Sequence, residues 1–202
     1  IEKHGDQDRM QRLNRRIAPF LLPRTKDVVA AELPEKTELL RSVPIGGRQA
    51  ALYESIRLTM ERKVRDAIAR KGLAGSQITI LDALHKQRQV CCNPRLLPAS
   101  VRRDNEAVPS AKLRMLMELL PELLSEGSRV LIFSQFTTML GLIEKELKAA
   151  GVAYSKLTGQ TRKRDEAIGA FREGRVPVML VSLKAGGVGL NLTEADTVIH
   201  YD

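Results

Sequence analysis

The chain has 202 residues, is 43% hydrophobic and carries a formal net charge of +9, with only 3% aromatic residues and two cysteines. A chain this long buries roughly 70% of its unfolded surface in one or two domains. No run of about 18 apolar residues is present, so no membrane span is expected, and the adjacent Cys91 and Cys92 suit neither a disulfide framework nor zinc spacing.

The first residues, Ile1 to Asp6, are polar and do not form a signal peptide. Residues 1–35 read as a connector. Arg12, Arg15, Arg16, Arg24 and Lys26 surround a short apolar stretch, and Pro19, Pro23 and Pro34 argue against a long uninterrupted helix. Residues 36–109 read as a helical region. Ala51/Leu52, Ile56, Met60, Val64 and Ala67/Ile68 recur as one stripe of a helix running to about Arg70. Lys71 to Gly75 supplies the stop, and Ser76 is the expected N-cap of a second helix carrying Ile80, Leu81, Leu84 and Val90. Cys91 and Cys92 are expected as small buried thiols at its end. Residues 95–109, with Pro98, Arg102-Arg103-Asp104 and Pro109, read as a loop.

From Ser110 helices and strands alternate. A helix with Leu113, Leu116, Met117, Leu120 and Leu124, containing Pro121, leads to the buried-strand run Val130–Phe133. A helix over 137–150 ends at Gly151, followed by a strand Val152–Leu157 and a helix over 162–173 capped by Thr161 and stopped by Gly174. Strands Val178–Val181 and Thr197–His200 complete the pattern. Such alternation implies an α/β fold with a parallel, right-handed sheet flanked by helices.

Charge divides unevenly along this plan. Residues 1–109 hold 21 basic and 13 acidic side chains, whereas residues 110–202 hold 12 and 11. A basic excess favours a polyanionic partner, although long basic side chains also simply solvate helix faces. The few aromatics disfavour base-stacking on single strands.

In a parallel sheet, ligands bind at the loops leaving the carboxyl ends of the strands. Three loops qualify. Ser134-Gln135-Phe136 presents a hydroxyl and an amide, although alone it reads as an ordinary N-cap. Thr158-Gly159-Gln160-Thr161-Arg162-Lys163-Arg164 combines a glycine with three basic residues expected in the first helical turn, where they oppose the helix dipole. A nucleic-acid phosphate and a solvated surface run both account for them. Ser182 to Leu192 places Gly186, Gly187 and Gly189 after a strand and before an expected helix. The third glycine of the dinucleotide fingerprint is missing, which disfavours NAD. There is no G-x-x-x-x-G-K-[ST] loop, and Asp165-Glu166 falls in a first helical turn, where acids complement the dipole. His4, His85 and His200 lack partners at triad or metal spacing. No catalytic and no metal-binding residue is therefore assigned, and the chain alone is not expected to hydrolyse ATP.

Taken as an ordered set, Ile132-Phe133-Ser134-Gln135-Phe136, Leu157-Thr158-Gly159 with Thr161 and Arg164, and Ser182 to Thr193 followed by Ala195-Asp196-Thr197-Val198-Ile199 resemble motifs of the Swi/Snf-type helicase-like ATPases of superfamily two, bacterial members above all. Pro19 to Lys26 with Leu33 to Glu38 is similar to that family's inter-lobe segment, and Arg88 to Pro94 to the end of its helical protrusion. The resemblance implies a RecA-like second lobe over 110–202, cut before the motif-six arginines, with the protrusion and start of the lobe over 36–109. It implies DNA-backbone contacts by Ser134, Gln135, Thr158, Gly159, Thr161, Arg164, Ser182 and Lys184. Gly187, Gly189 and Asn191 would border the nucleotide. ATP and Mg in the complete two-lobe protein, double-stranded DNA and the N-terminal lobe are the implied cofactors and partners, in a cytoplasmic, nucleoid-associated setting. Three positions depart from the family pattern: Pro23 in place of an arginine, Leu183 in place of a threonine, and Asn93 in place of a histidine. The competing readings are a non-catalytic nucleic-acid-binding or protein-interaction module on the same fold, and a dinucleotide enzyme.

Overall fold

A computed structural model describes residues 7–21, 37–98, 101, 108–187 and 189–202. Pro23, Arg24, Lys26, Pro34, Arg102 to Asp104 and Val188 lie outside the described residues. The chain divides into two compact units, Ile1–Arg41 and Ser42–Asp202. In the first, helix α1 spans Gln7–Ile17, and Pro19 sits in a 3-10 turn, Ala18–Phe20. The expected connector thus contains an 11-residue helix that ends where proline first removes a backbone donor.

The second unit opens with two helices, α2 (Gly47–Gly75) and α3 (Gln77–Cys92), packed as a hairpin. Within α2, Gly72 adopts φ +69° and ψ 176°, breaking the helix at the expected stop. Ser76 does not cap α3. Its hydroxyl donates back to the Gly72 carbonyl at 2.7 Å, because a residue with helical φ/ψ cannot aim its oxygen at the following N–H groups. The apolar stripe of α2 is buried at Ile56 and Met60 but reaches solvent at Ile68. On α3, Ala83 and Val90 are buried, whereas Leu81 and Leu84 are exposed. Cys92 is buried, and burial pushes its thiol up to about 11, reinforced by Asp202, so it stays a neutral packing group.

The α/β part follows. Helix α4 (Ala111–Ser125) is capped by the Ser110 hydroxyl and runs through Pro121. Then come β1 (Val130–Ser134), α5 (Thr137–Ala149), β2 (Tyr154–Leu157), α6 (Arg164–Arg172), β3 (Val178–Ser182), a single turn α7 (Leu183–Gly186) and β4 (Thr197–His200). The strand order is β2-β3-β1-β4, parallel throughout. Gly151 and Gly174 close α5 and α6 with φ near +70° and paired back-bonds such as Val152 N–H to the Leu147 carbonyl, which aim the chain into the next strand.

Both sheet faces are covered, which is why β1 and β3 read as unbroken apolar runs. Val130, Ile132, Val178 and Leu180 pack against Leu113, Leu116 and Leu120 of α4 and Met139, Leu140, Ile143 and Leu147 of α5. Leu131, Met179 and Val181 pack with Phe171 of α6 on the other side. Along β2, Glu144 receives Tyr154 Oη at 2.7 Å, Lys148 Nζ at 3.2 Å and Lys156 Nζ. Burial alone would raise this carboxyl, but the three donors outweigh it and hold it at about 2.

The hairpin is joined to the α/β part by buried polar groups. Gln49 is 2% exposed; its amide donates to the Val90 carbonyl at 2.9 Å and accepts the Ala111 N–H at 2.9 Å. Beside it the Cys92 carbonyl accepts Ser110 Oγ at 2.8 Å and Tyr201 Oη at 3.0 Å. Replacing Gln49 by alanine leaves a buried carbonyl and a buried N–H unpaired. Gln49→Ala is therefore expected to cost about 2–3 kcal/mol in denaturant unfolding; a loss below about 0.5 kcal/mol would contradict the clip.

Candidate nucleic-acid and nucleotide interface

Because every strand pairs in parallel, all carboxyl ends lie at one edge of the sheet. Register sharpens this. Ser134 pairs with Ser182, Leu157 with Val181, and Phe133 with His200. One residue further on, Thr158, Ser182, Ser134 and Tyr201 form a row across the edge, spanning about 14 Å at ordinary strand spacing. The three loops singled out from sequence therefore share one rim.

At its centre, the β1–α5 turn is closed on itself. Ser134 is fully buried; its hydroxyl accepts the Phe136 N–H at 3.1 Å and donates to Asp202 Oδ2 at 2.5 Å. Asp202 Oδ1 accepts the Gln135 N–H at 2.9 Å. The side-chain nitrogen of Gln135 is buried and has no hydrogen-bond partner among the described residues.

Next along the rim, Thr158 and Thr161 build a tight turn. The Thr158 N–H donates to Thr161 Oγ1 at 2.9 Å, the Thr161 N–H returns to the Thr158 carbonyl at 3.1 Å, and Thr161 Oγ1 donates to the Lys156 carbonyl. The Thr161 hydroxyl thus closes the loop and does not cap α6, which begins only at Arg164. Arg162 and Lys163 precede the helix, so only Arg164 opposes the dipole, and Asp165 and Glu166 offset it in the same turn. Thr158 is buried, Gly159, Gln160, Arg162 and Lys163 are exposed, and Arg164 is half-buried. The exposed Lys163–Glu166 pair at 2.9 Å adds little stability and leaves the lysine at the surface.

The third loop departs from expectation. The helical turn α7 precedes Gly187 and Gly189, and residues 190–196 run without a helix to β4. The Ser182 hydroxyl is buried and caps α7 by accepting the Ala185 N–H at 3.3 Å, while Leu183 and Lys184 stand exposed. Gly186 serves packing: a Cβ there would lie 2.7 Å from Cε1 of Phe133, whose ring stacks on His200 at 5.5 Å. Gly187 and Gly189 are exposed, and Gly189 has φ +52°. Asn191 is exposed at its side chain, and its carbonyl accepts from the Arg172 guanidinium, which also lies 3.8 Å from Glu194. Leu190 and Leu192 anchor the loop in the core beneath.

The strand register thus brings Ser134, Thr158 and Ser182 to one rim, with Gln135, Gly159 and Thr161 in the turns that leave it; Arg164 stands at the start of α6, Lys184 in α7, and Gly187, Gly189 and Asn191 on the loop that follows. Sequence reasoning missed Asp202, Tyr201 and Arg172. An acid just past an apolar strand run is the signal that flags Asp202; Arg172 carries none, since its partner is a backbone carbonyl. Asn93, buried, accepts the Arg95 N–H and caps the 3-10 turn Pro94–Leu96. Among the described residues no group of three or more His, Cys, Asp or Glu is placed to hold a metal ion.

Comparison with known proteins points to one family. The SNF2-related domain family matches residues 1–96, and the helicase conserved C-terminal domain family matches residues 111–202. The chain belongs to the Swi/Snf-type helicase-like ATPases. YwqA of Bacillus subtilis, named as a candidate ATP-dependent helicase/translocase, is 37% identical over 210 residues, covering 100% of this chain and 22% of that protein. The human SWI/SNF-related matrix-associated actin-dependent regulator of chromatin subfamily A member 1 is 35% identical, covering 98% of this chain and 20% of that protein. The Sulfolobus solfataricus SWI2/SNF2 ATPase core domain aligns at TM-score 0.69 and 32% identity, over 99% of this chain and 42% of that one. The same core in complex with double-stranded DNA aligns at 0.65 and 32%, with the same coverage. This Swi/Snf-type chain thus spans about a fifth of the length of the curated relatives it matches.

Gly186→Ala is expected to lose about 1–3 kcal/mol of stability, because the added methyl must displace the Phe133 ring. Gly187→Ala, with φ −70° and its nearest neighbour 3.7 Å away, is expected to stay within about 0.5 kcal/mol of the parent in the same unfolding assay. Equal losses at both positions would contradict the packing role.

Proposed function

We propose that this chain is the second motor lobe of a Swi/Snf-type, ATP-dependent translocase on double-stranded DNA. In that reading, residues 1–35 connect the two lobes, residues 36–109 carry the helical protrusion and the start of the lobe, and residues 110–202 form its RecA-like core. The observation that carries the reading is the common rim of Thr158, Ser182 and Ser134.

Its chemistry suits two ligands. Exposed Arg162, Lys163 and Lys184, with half-buried Arg164, supply positive charge beside the strand ends, where a DNA backbone is held by charge and turn donors rather than by base edges. The Gly187–Asn191 stretch supplies backbone groups and a neutral amide. That donor set fits the border of a bound nucleotide but not the grip on its triphosphate, which belongs to a phosphate loop and acidic box this chain lacks. When bound between two lobes, Mg-ATP supplies the phosphoryl transfer. This chain's residues orient the nucleotide's edge, hold the DNA strand and move with the lobe as the cleft closes and opens. In that reading the protein works in a cytoplasmic, nucleoid-associated setting, which its similarity to a Bacillus subtilis relative supports.

The test uses the full two-lobe protein. Its ATPase rate is expected to rise with double-stranded DNA, with little dependence on sequence. The double variant R162A/K163A is expected to need more DNA for half-stimulation and to flatten the slope of log affinity against log salt by about 1–2. A two-lobe protein whose ATPase ignores DNA would contradict the proposal.

A further inference from the structure

A carboxylate sits at the centre of the rim proposed to hold DNA phosphates. Asp202 accepts Ser134 Oγ–H at 2.5 Å and Gln135 N–H at 2.9 Å. These are the hydroxyl and the backbone donor that an incoming phosphate would seek in this turn. Ser134 is also fully buried and already accepts the Phe136 N–H. With those donors taken, the Gln135 side-chain nitrogen is left buried and without a hydrogen-bond partner among the described residues.

The clasp joins residues 67 and 68 positions apart in sequence and is anchored from below. The Tyr201 N–H donates to the Phe133 carbonyl, continuing the sheet one residue past β4. The Tyr201 ring is buried, its hydroxyl bonds the Cys92 carbonyl and its own carbonyl accepts Lys112 Nζ at 3.1 Å. Asp202 thus follows directly on a residue pinned through its N–H, its carbonyl and its ring hydroxyl.

We infer that Asp202 is a positioning residue for DNA binding: its carboxylate locks the Ser134–Gln135 turn from the neighbouring strand and so holds the centre of the rim in the shape that meets the backbone phosphate. The inference rests on the DNA-translocase reading above and deepens it. It also opposes simple electrostatics. An acid near phosphates repels them, so by charge alone its removal tightens binding. A clasp that pre-orders the turn acts the other way, because a loosened turn must be ordered again on binding.

The sign of the effect separates the two. Double-stranded DNA affinity is measured across a salt series in the full two-lobe protein for Asp202→Ala and Asp202→Asn, with thermal unfolding run in parallel. Asparagine keeps an acceptor for the Gln135 N–H, and its NH2 can donate to Ser134 Oγ while that hydroxyl turns to the Phe136 carbonyl, 3.3 Å away. The expected result is that Asp202→Ala weakens binding on the order of tenfold, while Asp202→Asn binds as tightly as the parent or tighter. Both variants binding at or above the parent level would mean the acid acts only through its field and overturns the inference. Both weakening alike would mean that restoring the two hydrogen bonds at this position does not restore binding, and overturns it equally. If Asp202→Ala fails to fold, Ser134→Ala breaks the same clasp and leaves the acid's charge in place: weaker binding upholds the clasp, and parental binding removes it. A parent protein that ignores DNA sinks the functional reading, and this inference with it. A responsive parent with the variants in the wrong order sinks the inference alone.

Discussion

Parallel pairing of four short strands is the constraint on which everything else rests. It forces each carboxyl end to one edge and each return through a helix, so three loops that lie 24 to 48 residues apart in sequence arrive as neighbours. The hydrophobic faces decide the register. Val130 and Ile132 face α4 and α5, Leu131 faces α6, and a slip of one residue would exchange the two sets. Register in turn aligns Ser134 with Ser182 and brings Thr158 level with both. The rim is thus a consequence of core packing, established before any ligand is considered.

Much of this was legible in the residues. The β1 and β3 runs, the helix-ending glycines at Gly151 and Gly174 and the helix beginning at Ser110 all obey local rules, and the structure repeats them nearly residue for residue. Errors arose where a polar side chain had two possible partners. Ser76 and Thr161 stand where hydroxyls favour capping a helix, yet one bonds backward to Gly72 and the other closes the Thr158 turn. Leu81 and Leu84 fit a helical stripe but face solvent, since the buried positions of that helix are Ala83, Val90 and Cys92. Periodicity shows that a face exists, not which part of it finds a partner.

The site was less legible than the fold for a related reason. Motif residues mark the rim, but what holds them comes from far along the chain. Asp202 reaches Ser134, Arg172 reaches the Asn191 carbonyl, and Gln49 bridges Val90 to Ala111. Each such contact joins a side chain to a backbone group or a small hydroxyl, which leaves no pairing pattern in a single sequence. Gly186 shows the converse: a glycine read as ligand-facing is required by the Phe133 ring against it. Part of a motif can therefore serve packing while its neighbours serve binding.

The central claim is that one edge of the sheet does the binding. Backbone hydrogen exchange of the full two-lobe protein, with and without double-stranded DNA and a non-hydrolysable ATP analogue, tests it most directly. The account expects joint slowing at residues 134–136, 158–164 and 182–191, with the opposite edge at residues 127–129, 151–153 and 174–177 unchanged. Protection confined to that opposite edge, or to the α2–α3 hairpin alone, would contradict it.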